Sequence, residues 1–148
     1  MIGFPSSESG GACVASIIAA GIIPGGLEMM DCPAINAAED FCHAGYPREA
    51  EALLICELDG PAAEVDHLIG VVGSIARQHG ASTMKVSESE AERVLFWAGR
   101  KNAFPAAGRI SPDYYCMDGT IPRGKLSLVL QRMREMSERH GLRVANVF

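Results

Sequence analysis

The stretch Ala50-Glu51-Ala52-Leu53-Leu54-Ile55-Cys56-Glu57-Leu58-Asp59-Gly60 (AEALLICELDG, residues 50–60) decides the fold. Its apolar run from Ala50 to Leu58 is nearly continuous and the length of a strand, and Asp59-Gly60 closes it with a turn signal. Pro61 then opens a helix through Gln78. Val65, Leu68, Ile69, Val72, Ile75 and Ala76 recur at i, i+3 and i+4, and His79-Gly80 ends the run. A buried strand that feeds directly into an amphipathic helix means a sheet covered by helices.

The same alternation extends in both directions. Upstream, Ser9 to Ala20 is rich in small and apolar residues, and Gly21 can supply a left-handed helix end. Leu27 to Asp31 reads as a strand. Pro33 suits the first turn of a helix running to about Cys42, with Asp31 or Cys32 near its cap, and His43 to Pro47 reads as a loop. The segment Gly3 to Gly11 (GFPSSESGG) is Gly/Ser-rich and reads as a flexible terminal piece. Downstream, Ala81 to Val86 is a weak strand, and Ser87 or Ser89 caps a helix that carries Val94, Leu95, Trp97 and Ala98. Phe104 to Gly108 reads as irregular and Asp113 to Met117 as a strand. A helix from about Gly124 to Arg139 presents Leu126, Leu130 and Met133, and Leu142 to Phe148 reads as a final strand. This pattern predicts an α+β domain with helices layered on one face of a sheet. An ending on Val147-Phe148, inside a strand, is expected of a domain that has been cut.

The chain has 148 residues, enough for one domain with a real core, and its 48% apolar and 21% charged residues are an ordinary globular balance. A net charge of −5 and a pI near 5.3 exclude the basic stripe of a nucleic-acid-binding surface. No apolar run reaches the roughly 18 residues of a membrane span; Ala15 to Ile23 is interrupted by Ser16 and Gly21 and lacks a basic lead-in. Five cysteines without a CxxC pair suggest free thiols in a reducing, cytoplasmic compartment.

Arg100 is the first candidate for chemistry, late in a helix and before a Pro-containing bend. Its planar fork of donors is what bidentate carboxylate recognition requires. On pattern alone, a solvated cation that complements the helix dipole accounts for it more simply. Tyr114 and Tyr115 offer phenols to a substrate, or pack one ring inward and send the other to water. Cys32, Cys42 and His43 match no zinc template. His67 and His79 look solvated, and His140 fits a helix end. No phosphate loop, Rossmann fingerprint, GxSxG or HExxH pattern occurs.

Four strings carry more than pattern: Phe96 to Arg123 (FWAGRKNAFPAAGRISPDYYCMDGTIPR), Ile22 to Asp31 (IIPGGLEMMD), His43 to Pro47, and Ala52 to Gly60. In register, they resemble the C-terminal cap domain of FAD-linked oxidases, in particular glycolate oxidase flavoprotein subunits and the related D-lactate dehydrogenases. The resemblance implies a ferredoxin-like-type cap with a largely antiparallel sheet, here incomplete, in a protein whose FAD is bound mainly by another domain. It implies oxidation of a small 2-hydroxy acid, glycolate to glyoxylate first of all. Arg100 would hold the substrate carboxylate so that the α-hydrogen faces flavin N5, and Tyr115 would lie near the substrate.

In the family, a His-Ala-Gly-Asp-Gly-Asn motif begins one residue after the equivalent of Phe148. Its histidine is the implied base and metal ligand, so this piece is expected to hold no cofactor or metal and to be inactive by itself. Where some relatives carry a Lys for a second carboxylate, this sequence has Cys116, which implies a monocarboxylate. The implied partners are other glycolate oxidase subunits, with a location peripheral to the inner membrane in the assembled complex. The piece alone is expected to self-associate through sheet edges. The competing reading is a non-catalytic ferredoxin-like module that binds a metabolite or a partner.

Overall fold

The computed structural model describes residues 1–148. Four strands form one antiparallel sheet: β1 (Ile2–Phe4), β2 (Gly26–Asp31), β3 (Ala52–Glu57) and β4 (Thr83–Met84), in the order β2-β3-β1-β4. The register runs from Gly26↔Glu57 to Asp31↔Ala52 between β2 and β3, and from Ile2↔Leu54 to Phe4↔Ala52 between β1 and β3. Helices α1 (Ser7–Ala19) and α3 (Ala62–Gln78) connect β1 to β2 and β3 to β4. This βαββαβ order with β1 beside β3 is the ferredoxin-like arrangement. The α+β class and the antiparallel sheet are as expected from the sequence.

The expectation of helices on one face alone is corrected. In β3, Ala52 and Leu54 point to a core with Phe4, Cys13, Ile17, Met29, Val72 and Ala76. Leu53 and Ile55 point the other way, to Met30, Ala34, Ile35, Ala38 and Tyr46. A strand that is apolar on successive positions must be covered on both faces, and that is the physical content of the unbroken LLI run. One face carries α1, α3 and α6 (Leu126–His140). The other carries α2 (Cys32–Cys42), α5 (Ala103–Ala106) and, beside them, α4 (Glu90–Lys101).

Local chemistry sets the helix starts. Ser6 caps α1 by accepting from the Ser9 N–H at 3.1 Å, Asp31 caps α2 from Ala34 at 3.2 Å, and Ser89 caps α4 from Glu92 at 3.2 Å. Four further expectations change. Gly3 to Gly11 is not a flexible piece: β1 lies inside the sheet and Ile2 and Phe4 are buried, but three residues are too few to show a strand period. Phe104 to Gly108 is helical, as α5 followed by a 3-10 turn at Ala107–Arg109, because Pro105 falls in a first turn that needs no N–H from it. Asp113 to Met117 forms no strand, since no sheet edge reaches it, and Met117 stays 83% exposed. Of Leu142 to Phe148, only the end pairs: the Asp31 N–H donates to the Asn146 carbonyl, and Met29 and Phe148 exchange both backbone bonds.

Candidate functional site

Helix α4 reaches the start of β2 through the Trp97 and Arg100 side chains, and two glycines permit close approaches, Gly26 to Trp97 and Gly99 to Tyr46. A Cβ on Gly26 would stand 2.7 Å from the Trp97 ring, so the indole lies directly on the strand backbone. A Cβ on Gly99 would overlap the Tyr46 ring and hydroxyl. That buried phenol donates to the Phe96 carbonyl, and burial pushes its pKa well above the ordinary tyrosine value.

Arg100 follows Gly99 and reaches β2, where its Nε donates to Glu28 Oε2 at 2.8 Å. About a third of each side chain is exposed, and the two terminal nitrogens of Arg100 make no hydrogen bond within the chain. A second ion-paired arginine lies two turns earlier in α4. Arg93 bridges Glu90 at 2.6 Å and Glu57 at 2.8 Å; these carboxylates hold the guanidinium above its usual value, and Arg93 in turn lowers Glu90. Gly25, Gly26, Glu28, Glu57, Arg93, Trp97 and Lys101 line a shallow polar recess; Arg100 is not among its lining residues but bonds one of them, Glu28. An arginine anchored through Nε, with both terminal nitrogens unbonded within the chain, has the chemistry to bind a carboxylate.

The other sequence candidates lie apart from this arrangement. Tyr115 is 89% exposed in an irregular segment and makes no hydrogen bond, so nothing in the structure ties it to Arg100. Its neighbour Tyr114 instead donates to the Phe104 carbonyl at 3.2 Å and meets the Phe104 ring edge-on. Cys116 is exposed. His79 is only half-buried and shares a 2.8 Å bond with the Ser16 hydroxyl, which corrects its reading as solvated; His67 is exposed and His140 closes α6. Cys32 meets Asn36, Cys42 meets the Ala98 carbonyl, and His43 ends α2 in the left-handed region at φ 52°.

No three His, Cys, Asp or Glu side chains converge as a metal site would need, so the donors of this chain do not fit one by themselves. No helix is long and apolar enough to cross a membrane. Sequence reasoning missed Glu28, Glu57 and Arg93. The available signal was Glu28 itself, an acidic residue inside the apolar run Leu27 to Met30.

The family described as FAD linked oxidases, C-terminal domain, matches residues 1–148. The glycolate oxidase subunit GlcD of Escherichia coli (strain K12) is 60% identical over 145 residues, covering 98% of this chain and 29% of the relative. The glycolate oxidase subunit GlcD of Bacillus subtilis (strain 168) is 26% identical over 141 residues, covering 95% of this chain and 30% of the relative. The chain therefore spans less than a third of the length of these relatives. Among solved structures, an alkyldihydroxyacetonephosphate synthase superposes with a TM-score of 0.62 at 15% identity, over 93% of this chain and 30% of that one, and so shares the fold. With the family match running the whole length and the fold in agreement, the chain belongs to the C-terminal domain family of FAD-linked oxidases.

Proposed function

We propose that this chain is the substrate-side part of a flavoprotein that oxidises a small 2-hydroxy acid, glycolate before others, with FAD held by the rest of the protein. Arg100 carries the reading: its Nε is fixed to Glu28 and its terminal nitrogens are open to a substrate carboxylate. The match to the glycolate oxidase subunit of Escherichia coli supports glycolate as the substrate. The sheet adds support. Phe148 pairs with Met29 and Val147 with Met30, so in a longer chain the residue after Phe148 would fall opposite Glu28, on the face where Arg100 lies. The family resemblance expects a histidine there, and a base beside the bound carboxylate is what removal of the hydroxyl proton requires.

Within this reading, Arg100 orients the substrate and offsets its charge, and the flavin supplies the acceptor for the hydride. Tyr115 belongs to the proposal only as a residue of the segment flanking the substrate. The donor set does not fit a metal, and no step here depends on one. Partner subunits of a glycolate oxidase assembly and a cytoplasmic location belong to the same proposal. So does self-association of the isolated chain along the outer edge of Gly26–Glu28, which the Asn146–Phe148 segment leaves unpaired; light scattering tests it.

The decisive test is the visible spectrum of the full-length protein, held without oxygen, before and after glycolate. Bleaching of a flavin band supports enzyme and substrate together. Bleaching by D-lactate but not glycolate keeps the reaction class and replaces the substrate. A folded protein without a flavin band overturns the proposal in favour of a binding module.

A further inference from the structure

Every arginine ion pair in the structure except one uses a terminal guanidinium nitrogen: Arg48, Arg93, Arg132 and Arg134 all do. Arg100 meets Glu28 through Nε alone. Arg93 takes the bidentate fork with Glu90 through Nε and a terminal nitrogen, whereas Arg48, Arg132 and Arg134 each meet their carboxylate through one terminal nitrogen. A pair made through Nε restrains the guanidinium from its side and leaves both terminal nitrogens without a partner in the chain. Glu28 is well suited to hold the group, because β2 is a strand of the sheet and pairs along its whole length with β3. Strand-mounted groups are positioned more tightly than loop groups.

We propose that Glu28 is a positioning residue for substrate: it holds the Arg100 guanidinium in the plane and rotamer in which its two terminal nitrogens receive the carboxylate of the 2-hydroxy acid. This rests on the reading of Arg100 as the carboxylate site. Glu28 touches no reacting atom. Its acceptor oxygen fixes one donor, so the fork does not search several rotamers when substrate arrives, and less ordering is left to be done on binding.

The test measures kcat/KM for glycolate and D-lactate in the full-length flavoprotein, with flavin content and thermal midpoint as controls on folding. Glu28→Gln keeps an acceptor at the same reach and should hold kcat/KM within about threefold, whereas Glu28→Ala should lower it about tenfold or more, as misplacement of a binding group does. Glu28→Asp keeps the charge but withdraws the acceptor by one methylene, and should fall with Glu28→Ala; it also serves if the alanine variant does not fold. In an Arg100→Ala background, Glu28→Ala should change kcat/KM by less than about twofold, because the contact it supports is already gone.

Undiminished kcat/KM in both Glu28→Ala and Glu28→Asp, with Arg100→Ala impaired, overturns the role of Glu28. So does a Glu28→Ala loss that persists in full without Arg100. An Arg100→Ala protein with wild-type kcat/KM overturns the carboxylate site instead, and a wild type that oxidises neither acid overturns the proposed function on which both rest.

Discussion

Replacing Gly99 by alanine sets two physical effects of opposite sign against each other. Gly99 lies in the third turn of α4, where helix propensity alone favours alanine by about 1 kcal/mol. Its position is not free, however. An added Cβ would meet the Tyr46 hydroxyl and two ring carbons far inside the roughly 3.5–4.0 Å of an ordinary contact, so Tyr46 or α4 must move by about 1 Å. Tyr46 is only 4% exposed and bonds the Phe96 carbonyl, so turning it away breaks a buried hydrogen bond at about 1 kcal/mol. Lifting α4 strains a packed interface, for which overpacking costs about 1–3 kcal/mol. With the propensity gain set against these, Gly99→Ala should be destabilising by about 2 kcal/mol, which lowers the melting temperature by roughly 4–8 °C for a chain of this size. Thermal and urea unfolding followed by circular dichroism measure it. On the proposed function, turnover of the full-length protein should also fall, because Arg100 is the next residue and a displacement near 1 Å can cost on the order of a hundredfold. A variant as stable as wild type, or more so, would refute the packing argument and leave propensity in charge.

On the proposed function, Arg100→Ala in the full-length protein should cost kcat/KM for the 2-hydroxy acid about 2–5 kcal/mol, roughly thirtyfold to several thousandfold; an unchanged value in steady-state kinetics rules out the carboxylate role. Burial raises the Asp31 carboxyl above its ordinary 3.8, outweighing its bonds from Asn146 and Ala34. The folded chain then keeps this proton where the unfolded chain has lost it, so the stability Asp31 contributes is fully present below about 3.8 and declines as pH rises through the raised value. Wild type should therefore lose stability relative to Asp31→Asn across that interval, and a difference that stays flat from about pH 3 to pH 7 in chemical denaturation counts against it. Burial pushes the thiols of Cys13 and Cys56 up to about 11, which leaves only about one in a thousand ionised at pH 8. Exposed Cys116 should thus be the first to react with a thiol reagent, as read by peptide mass; early labelling of Cys13 would contradict its placement in the core.

Much of the fold was legible in the sequence because its signals are local. The apolar run around Leu53 to Ile55, the helical period from Val65 to Ala76, and the cap candidates (Asp31 or Cys32, Ser87 or Ser89) each act within a few residues of themselves. They placed β2, β3, α2, α3 and the start of α4 to within two residues or so. Even the second covered face was implicit in an unbroken run that no half-exposed strand would carry. The short elements were not legible. Three residues of β1 show no period, and the strand reading of Asp113 to Met117 failed because a strand exists only where an edge is there to pair with it.

For the site, the sequence supplied Arg100 and the chemistry of its fork but left a solvated cation as the simpler account. Only the tertiary structure brings Glu28, 72 positions away, onto the Arg100 Nε, leaves the terminal nitrogens open, and leaves Tyr115 in solvent. The reason is that composition and periodicity determine which residues want burial and which segments are helix or strand. The rotamer of an arginine is set by whichever side chain the packing of its helix carries to it, and here α4 sits where Gly26 admits Trp97 and Gly99 admits Tyr46, two positions with no side chain at all.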